Sequence, residues 1–190
     1  VAQQKKAMIE GNFDVVLDMP TGAPLEKTAA VLHEMAAYLA QQPEVIDYQI
    51  FAGMAAPVDL SGLARQYYLR GGNTAGQIQV RLLDKHHRDH QSHEIVDRVR
   101  PALVKIAQRH QADLRVFDPP LGVPTLSPIV LEVYGPSQEG RYKVAKDIRA
   151  LLEKTSGIVD VDDSSIVPSM RTHLEIDRSK AALLGITQQD

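Results

Sequence analysis

The sequence predicts an α+β protein made of two ferredoxin-like βαββαβ units, helices on one face of antiparallel sheets, the second unit incomplete at its C-terminal end. Three observations lead to that class. Stretches of strict apolar–polar alternation interleave with stretches whose apolar residues recur every three or four positions. A proline-rich segment divides the chain, and the pattern found before it restarts behind it.

The first unit is expected over residues 12–118. It opens with "NFDVVLDMP", where Phe13, Val15, Leu17 and Met19 share one face and Asp14, Val16 and Asp18 the other, a strand with one buried side. Pro24 is placed to open a helix, with Glu26 in its first turn; Leu25, Ala29, Leu32, Met35, Ala36 and Leu39 give that helix one apolar stripe. Beyond Pro43, "VIDYQIF" alternates Ile46, Tyr48 and Ile50 with Asp47, Gln49 and Phe51. "GQIQVRLLD" sets Ile78, Val80 and Leu82 against Gln77, Gln79 and Arg81. Ser92 is placed as the cap of a second helix carrying Ile95, Val96, Val99, Leu103, Ile106 and Ala107, which Pro101 should kink or break. "ADLRVF" closes the unit with Leu114 and Val116 inward.

Pro119, Pro120, Pro124 and Pro128 make residues 119–128 a semi-rigid linker. Residues 129–190 repeat the pattern: a strand at "IVLEVYGP", a Ser137-capped helix with Tyr142, Ala145, Ile148, Leu151 and Leu152 inward, and strands at "SGIVDVDD" and "RTHLEID". Asp177 then caps a short helix ended by Gly185. A fourth strand is missing, and Thr187 with Asp190 is a helix-opening signal at the end of the sequence. Both features predict the front part of a longer chain.

Composition narrows the function. With 44% hydrophobic and 24% charged residues the chain has the make-up of a globular protein. A net charge of −3 and a pI near 6.2 offer no basic footprint for nucleic acid. No run suits a membrane span, and "VAQQKKAMIEGNF" has no signal-peptide core. The absence of cysteine removes thiolate nucleophiles and Cys-based zinc sites.

The motifs that suggest chemistry have plainer readings. "DKHHRDHQSHE" gathers His86, His90, His93 and Asp89, but Lys85 and Arg88 would repel a cation, so it reads as a polar connection and no metal is assigned. "DVDDSS" resembles a calcium loop but has Ser165 and Arg171 where such a loop needs Gly and Glu; a solvated strand edge fits better. "YLRGGNTAG" follows no strand into a helix and is not a phosphate loop. Tyr67 and Tyr68 read as loop anchors. No catalytic set stands out, so the chain reads as a non-enzyme without a cofactor. The stretch from Ala52 to Gly76 is long for a connection between paired strands, and such loops carry function. The polar sheet face, with Asp14, Val16, Asp18, Gln49, Phe51, Gln79 and Arg81, suits a wet cleft or a subunit contact.

"VVLDMPTGAPLEKTAAVLHEMAAYL" is similar to the strand–helix opening that follows the seventh transmembrane helix in resistance–nodulation–division (RND) efflux transporters of the acriflavine-resistance type. "SGIVDVDDSS" and "LEIDRSKAALLGIT" resemble a recurring signature of the same family, and the likeness runs from about Phe13 to Asp190. It implies a periplasmic region of a bacterial inner-membrane protein: the third porter subdomain and the front of the fourth, stopping before an inserted docking domain. It also implies proton-driven export of small molecules, in a homotrimer working with a periplasmic adaptor protein and an outer-membrane channel. Carried over by position, the family's substrate pocket falls on Asp14, Val16, Asp18, Gln49, Phe51, Met54 and Gln79, and its switch loop on the stretch from Ala52. Multidrug members place several phenylalanines where this chain has only Phe51, and the methionine triplet of copper and silver exporters is missing. The alternative is a free-standing regulatory module of two ferredoxin-like units that binds a small ligand.

Overall fold

A computed structural model describes residues 11–57, 67–118, 127, 129–164 and 175–185. Outside the described residues lie the N-terminal segment, the middle of the long loop, nearly all of the linker, most of "RTHLEID" and the Thr187–Asp190 signal.

The first unit runs β1 (Asn12–Asp18), α1 (Leu25–Leu39), β2 (Val45–Ala52), β3 (Ala75–Leu82), α2 (Ser92–Arg109) and β4 (Asp113–Phe117). Its strands form one four-stranded sheet in the order β2-β3-β1-β4, antiparallel at every seam. Alternation dictates its sidedness. Phe13, Val15 and Leu17 point with Ile78, Val80, Leu82 and Val116 into a core shared with Val31, Leu32, Met35 and Leu39 of α1 and Ile95, Val99, Leu103 and Ile106 of α2. Edge strand β2 departs from the expected pattern, since Ile46 and Tyr48 are exposed while Ile50 packs against the core with Val45 and Ala52 at the strand ends. A strand with one neighbour has less of the helical layer above it.

Two helix starts need correction. Pro24 is the N-cap, one position before the first helical residue. In α2 the cap is Gln91, not Ser92: Glu94 Oε2 accepts from the Gln91 N–H at 2.7 Å, completing a reciprocal capping box. Nor does Pro101 break α2, which continues to Arg109 with that proline on its exposed side.

Polar ties fix the layers. Thr28 Oγ1 of α1 donates to the Asn73 carbonyl at 2.6 Å, next to β3. Glu44, almost fully buried ahead of β2, accepts from Arg98 of α2. That hydrogen bond is the main reason its carboxyl lies below the ordinary range, burial opposing it. Closest contact comes at Gly76, where a Cβ would stand 2.7 Å from Cδ1 of Leu32. Glycine lets α1 lie directly on β3 there.

The second half differs from expectation. Helix α3 (Gln138–Leu152) forms and Ser137 Oγ accepts from Gly140 N–H at 3.0 Å as anticipated. Asp177 Oδ1 likewise caps α4 (Arg178–Leu183), and Gly185 follows with φ +75°. The two described stretches expected as strands, "IVLEVYGP" and "SGIVDVDD", are not in a sheet. Tyr142 and Leu151, expected inward on α3, are exposed, and no described residue from 127 to 185 is buried. A strand exists only through its ladder partner, and no described residue supplies one to these segments.

Two outcomes test this account. Gly76→Ala should cost about 1–3 kcal/mol in urea unfolding by overpacking, and much less in a Leu32→Ala background where space has been made; equal costs would refute the contact. Glu44, its pKa lowered by folding, contributes stability above the ordinary carboxylate range and loses it as pH falls through the folded value. Glu44→Gln should therefore cost about 1–3 kcal/mol near pH 7, with a gap to the parent that narrows as the pH falls below the ordinary carboxylate range.

Candidate functional site

The helices occupy one face of the sheet, and strand register orders the other into rows. Gln49, Gln79, Asp14 and Phe117 form one row across all four strands; Phe51, Gln77, Val16 and Arg115 form the next. Asp47, Arg81 and Asn12 make a third, with Arg81 paired to Asp47. Five of the seven residues expected to form a pocket, Asp14, Val16, Gln49, Phe51 and Gln79, thus lie in two adjacent rows. Asp18 continues β1 at the end of the same face, and Met54 lies just beyond β2.

Burial divides the set. Asp14 is 5% exposed, Val16 0% and Gln77 6%, a covered central strip. Gln49 and Met54 are open to solvent, and Phe51, Gln79 and Asp18 are half-buried. Contact with a soluble molecule in this conformation therefore falls to the rim residues.

Asp18 is not a bare charge. Arg70 grips it with both terminal nitrogens, at 2.8 and 2.7 Å, and also donates to the Leu17 carbonyl at 2.9 Å. Arg115 reaches the same carboxylate from β4. The Arg70 guanidinium lies 5.6 Å from the centre of the Tyr67 ring, and that ring meets Phe117 at 5.7 Å with a 52° tilt. This is the anchoring expected of Tyr67; the Tyr68 side chain lies outside the described residues. The glycine-rich stretch closes the loop stem: Gly72 N–H donates to Gly53 O at 3.1 Å and Gly53 N–H to Ala75 O at 2.8 Å. Both glycines have positive φ, +94° and +74°, a region closed to most side chains.

Arg115 and Phe117 are missing from the sequence-based set, as is the role of Arg70. The parity that put Leu114 and Val116 inward also turns Arg115 and Phe117 to the open face, so that signal was available. Arg70 on Asp18, 52 positions away, had none.

The remaining motifs are structural. Asp84 caps the histidine turn by accepting from His86 N–H at 2.9 Å, and His90 lies 3.7 Å from Glu94. Among the described residues no group of three or more His, Cys, Asp or Glu is placed to hold a metal. Asp160, Asp162 and Asp163 of "DVDDSS" do not line a solvated strand edge; each pairs with an arginine, Arg100, Arg115 and Arg149 respectively. Asp118, where β4 ends, has its carboxyl pushed up by burial, against the pull of a Ser92 hydrogen bond.

A sequence profile described as the AcrB/AcrD/AcrF family matches residues 7–190. The chain belongs to that family. It is an RND efflux-transporter family, which agrees with the resemblance carried by the sequence motifs. Comparison with curated proteins gave no match. Two crystal forms of a heavy metal efflux pump share the fold, with TM-scores of 0.62 and 0.61 at 19% and 21% identity. Each likeness covers 95% of this chain and 18% of the pump's, so the chain spans under one-fifth of those structures. No helix among the described residues is long and apolar enough to cross a membrane.

Arg70→Ala should lower stability by about 1–3 kcal/mol in urea unfolding, since it strips donors from Asp18 and from the Leu17 carbonyl. Arg70→Lys should recover less than half of that, because an ammonium cannot form the fork. Full recovery by lysine would show that charge alone matters.

Proposed function

We propose that this chain is a periplasmic porter portion of a proton-driven RND efflux permease, and that the open face of its sheet is one wall of the cleft through which small molecules are exported. The observation that carries this is the make-up of that face, in a chain matched by the family profile over residues 7–190. A covered polar strip is bordered by Phe51, Met54, Tyr67 and Phe117, with Gln79 beside Asp14 in the row that runs from Gln49 at the β2 edge to Phe117. Apolar rim contacts gain roughly 25 cal/mol per Å² removed from water, while the amides donate and accept to orient a guest. No bond is made or broken, so the wall needs no activated nucleophile and no cofactor. Asp14 and Val16 support the rim from beneath rather than touching cargo in this conformation, and half-buried Asp18 is held at the end of the face by Arg70 and Arg115. The unit is read as ferredoxin-like, residues 129–185 as the front of the neighbouring porter subdomain. Its working partners are two further copies, a periplasmic adaptor and an outer-membrane channel. Phe51 and Phe117 are fewer aromatics than a broad multidrug pocket carries.

Cysteine labelling tests the wall. The chain has no cysteine, so Gln49→Cys, Phe51→Cys and Met54→Cys each add a single thiol to this region of the full-length transporter. A panel of amphipathic dyes that the transporter exports should slow maleimide labelling at these three positions, but not at Tyr142→Cys on the exposed side of α3. Labelling that ignores every exported dye would overturn the proposal.

A further inference from the structure

Strand β4 is an edge of the four-stranded sheet, and among the described residues no strand pairs with the alternate backbone groups on its outer side. Left bare, such an edge invites pairing with any extended chain. At Val116 the edge is occupied by side chains instead. The Val116 N–H donates to Asp160 Oδ2 at 3.2 Å, and Arg100 Nη2 donates to the Val116 carbonyl at 2.6 Å. Arg100 and Asp160 also pair with each other. One carboxylate and one guanidinium thus take the places a neighbouring strand's carbonyl and amide would fill.

Asp160 reaches this position with φ +55°, in the left-handed region that asparagine and aspartate tolerate better than other non-glycine residues. Two residues on, Asp162 pairs with Arg115, and Arg149 of α3 reaches Asp113 of β4 at 3.7 Å. Apolar burial contributes little on this side, since no described residue from 127 to 185 is buried. Charge does the holding. The pairing is also incomplete, because the buried Nε–H groups of Arg100 and Arg115 find no acceptor among the described residues.

We propose that residues 157–163 form a salt-sensitive clasp over the free edge of β4: Asp160 and Asp162 hold the second half of the chain on the first unit through Arg100 and Arg115, and release of the clasp bares Val116 without unfolding the sheet. The clasp does not depend on what the cleft carries. Its energetics follow from screening, which acts chiefly on the Arg115–Asp162 pair, where Asp162 is half open to solvent, and less on the more covered Arg100–Asp160 pair, as the Debye length falls from about 8 Å at physiological ionic strength to about 3 Å at 1 M salt.

Hydrogen exchange at the Val116 amide, followed by NMR on the chain itself, is the direct readout. Loss of charge-assisted hydrogen bonds of this kind should speed exchange at Val116 by about tenfold in 1 M sodium chloride and in Arg100→Gln, with the β1–β3 ladder amides of Val15, Ile78 and Val80 unchanged. Asp160→Asn keeps a side chain suited to the left-handed backbone and an acceptor for the amide, so it should give a smaller increase. Unchanged exchange at Val116 in both salt and Arg100→Gln would overturn the clasp. So would parallel acceleration of Val116 and the ladder amides in these variants, which would make the contact part of the first unit's core.

Discussion

The sheet of the first unit can build an apolar core on only one face, and the rest of its structure follows from that constraint. Two helices with apolar stripes consume the face carrying Phe13, Val15, Leu17, Ile78 and Val80. Period-two geometry then sends every intervening residue to the other side. Aspartates, glutamines and arginines on that side cannot assemble a second apolar core, so they satisfy one another across the rows or meet the loop stem. The same one-sidedness explains Gly76. Close seating of α1 on β3 leaves no room for a methyl group beneath Leu32.

Much of the first unit was legible because its signals are local. Each of β1 to β4 and both helices shows in a window of a few residues, and the structure starts and ends them close to where periodicity places them. Errors arise where the deciding partner lies elsewhere. Ser92 is the residue type expected to cap, yet the helix is capped one position earlier at Gln91, through the reach of the Glu94 side chain. "IVLEVYGP" and "SGIVDVDD" have strand-like alternation, yet alternation reports amphipathicity and not the presence of a ladder partner. Tyr142 and Leu151 of α3 were placed inward on the same local reasoning, and the described structure gives them nothing to face.

The candidate wall was legible to a different degree. Register brings Asp14, Gln49 and Gln79 into line as parity anticipates, and the motifs near both ends of the chain pointed to the family that the profile match identifies. Electrostatic partners were not readable. Arg70 with Asp18, Arg98 with Glu44 and Arg100 with Asp160 join residues more than 50 positions apart, and long flexible side chains leave no periodic trace. Acidic "DVDDSS" shows the difficulty well. Its composition suggested a cation loop or a wet edge, whereas its carboxylates answer arginines on other elements.

Arg115 serves two masters, Asp18 on β1 and Asp162 in the second half. A guanidinium shared in this way sets up competition between its acceptors. If Asp162 withdraws, the donors of Arg115 turn wholly to Asp18, which Arg70 already grips, and the stem of the long loop is held more firmly. One guanidinium is thus the joint at which the loop stem of the first unit and the second half of the chain draw on the same donors.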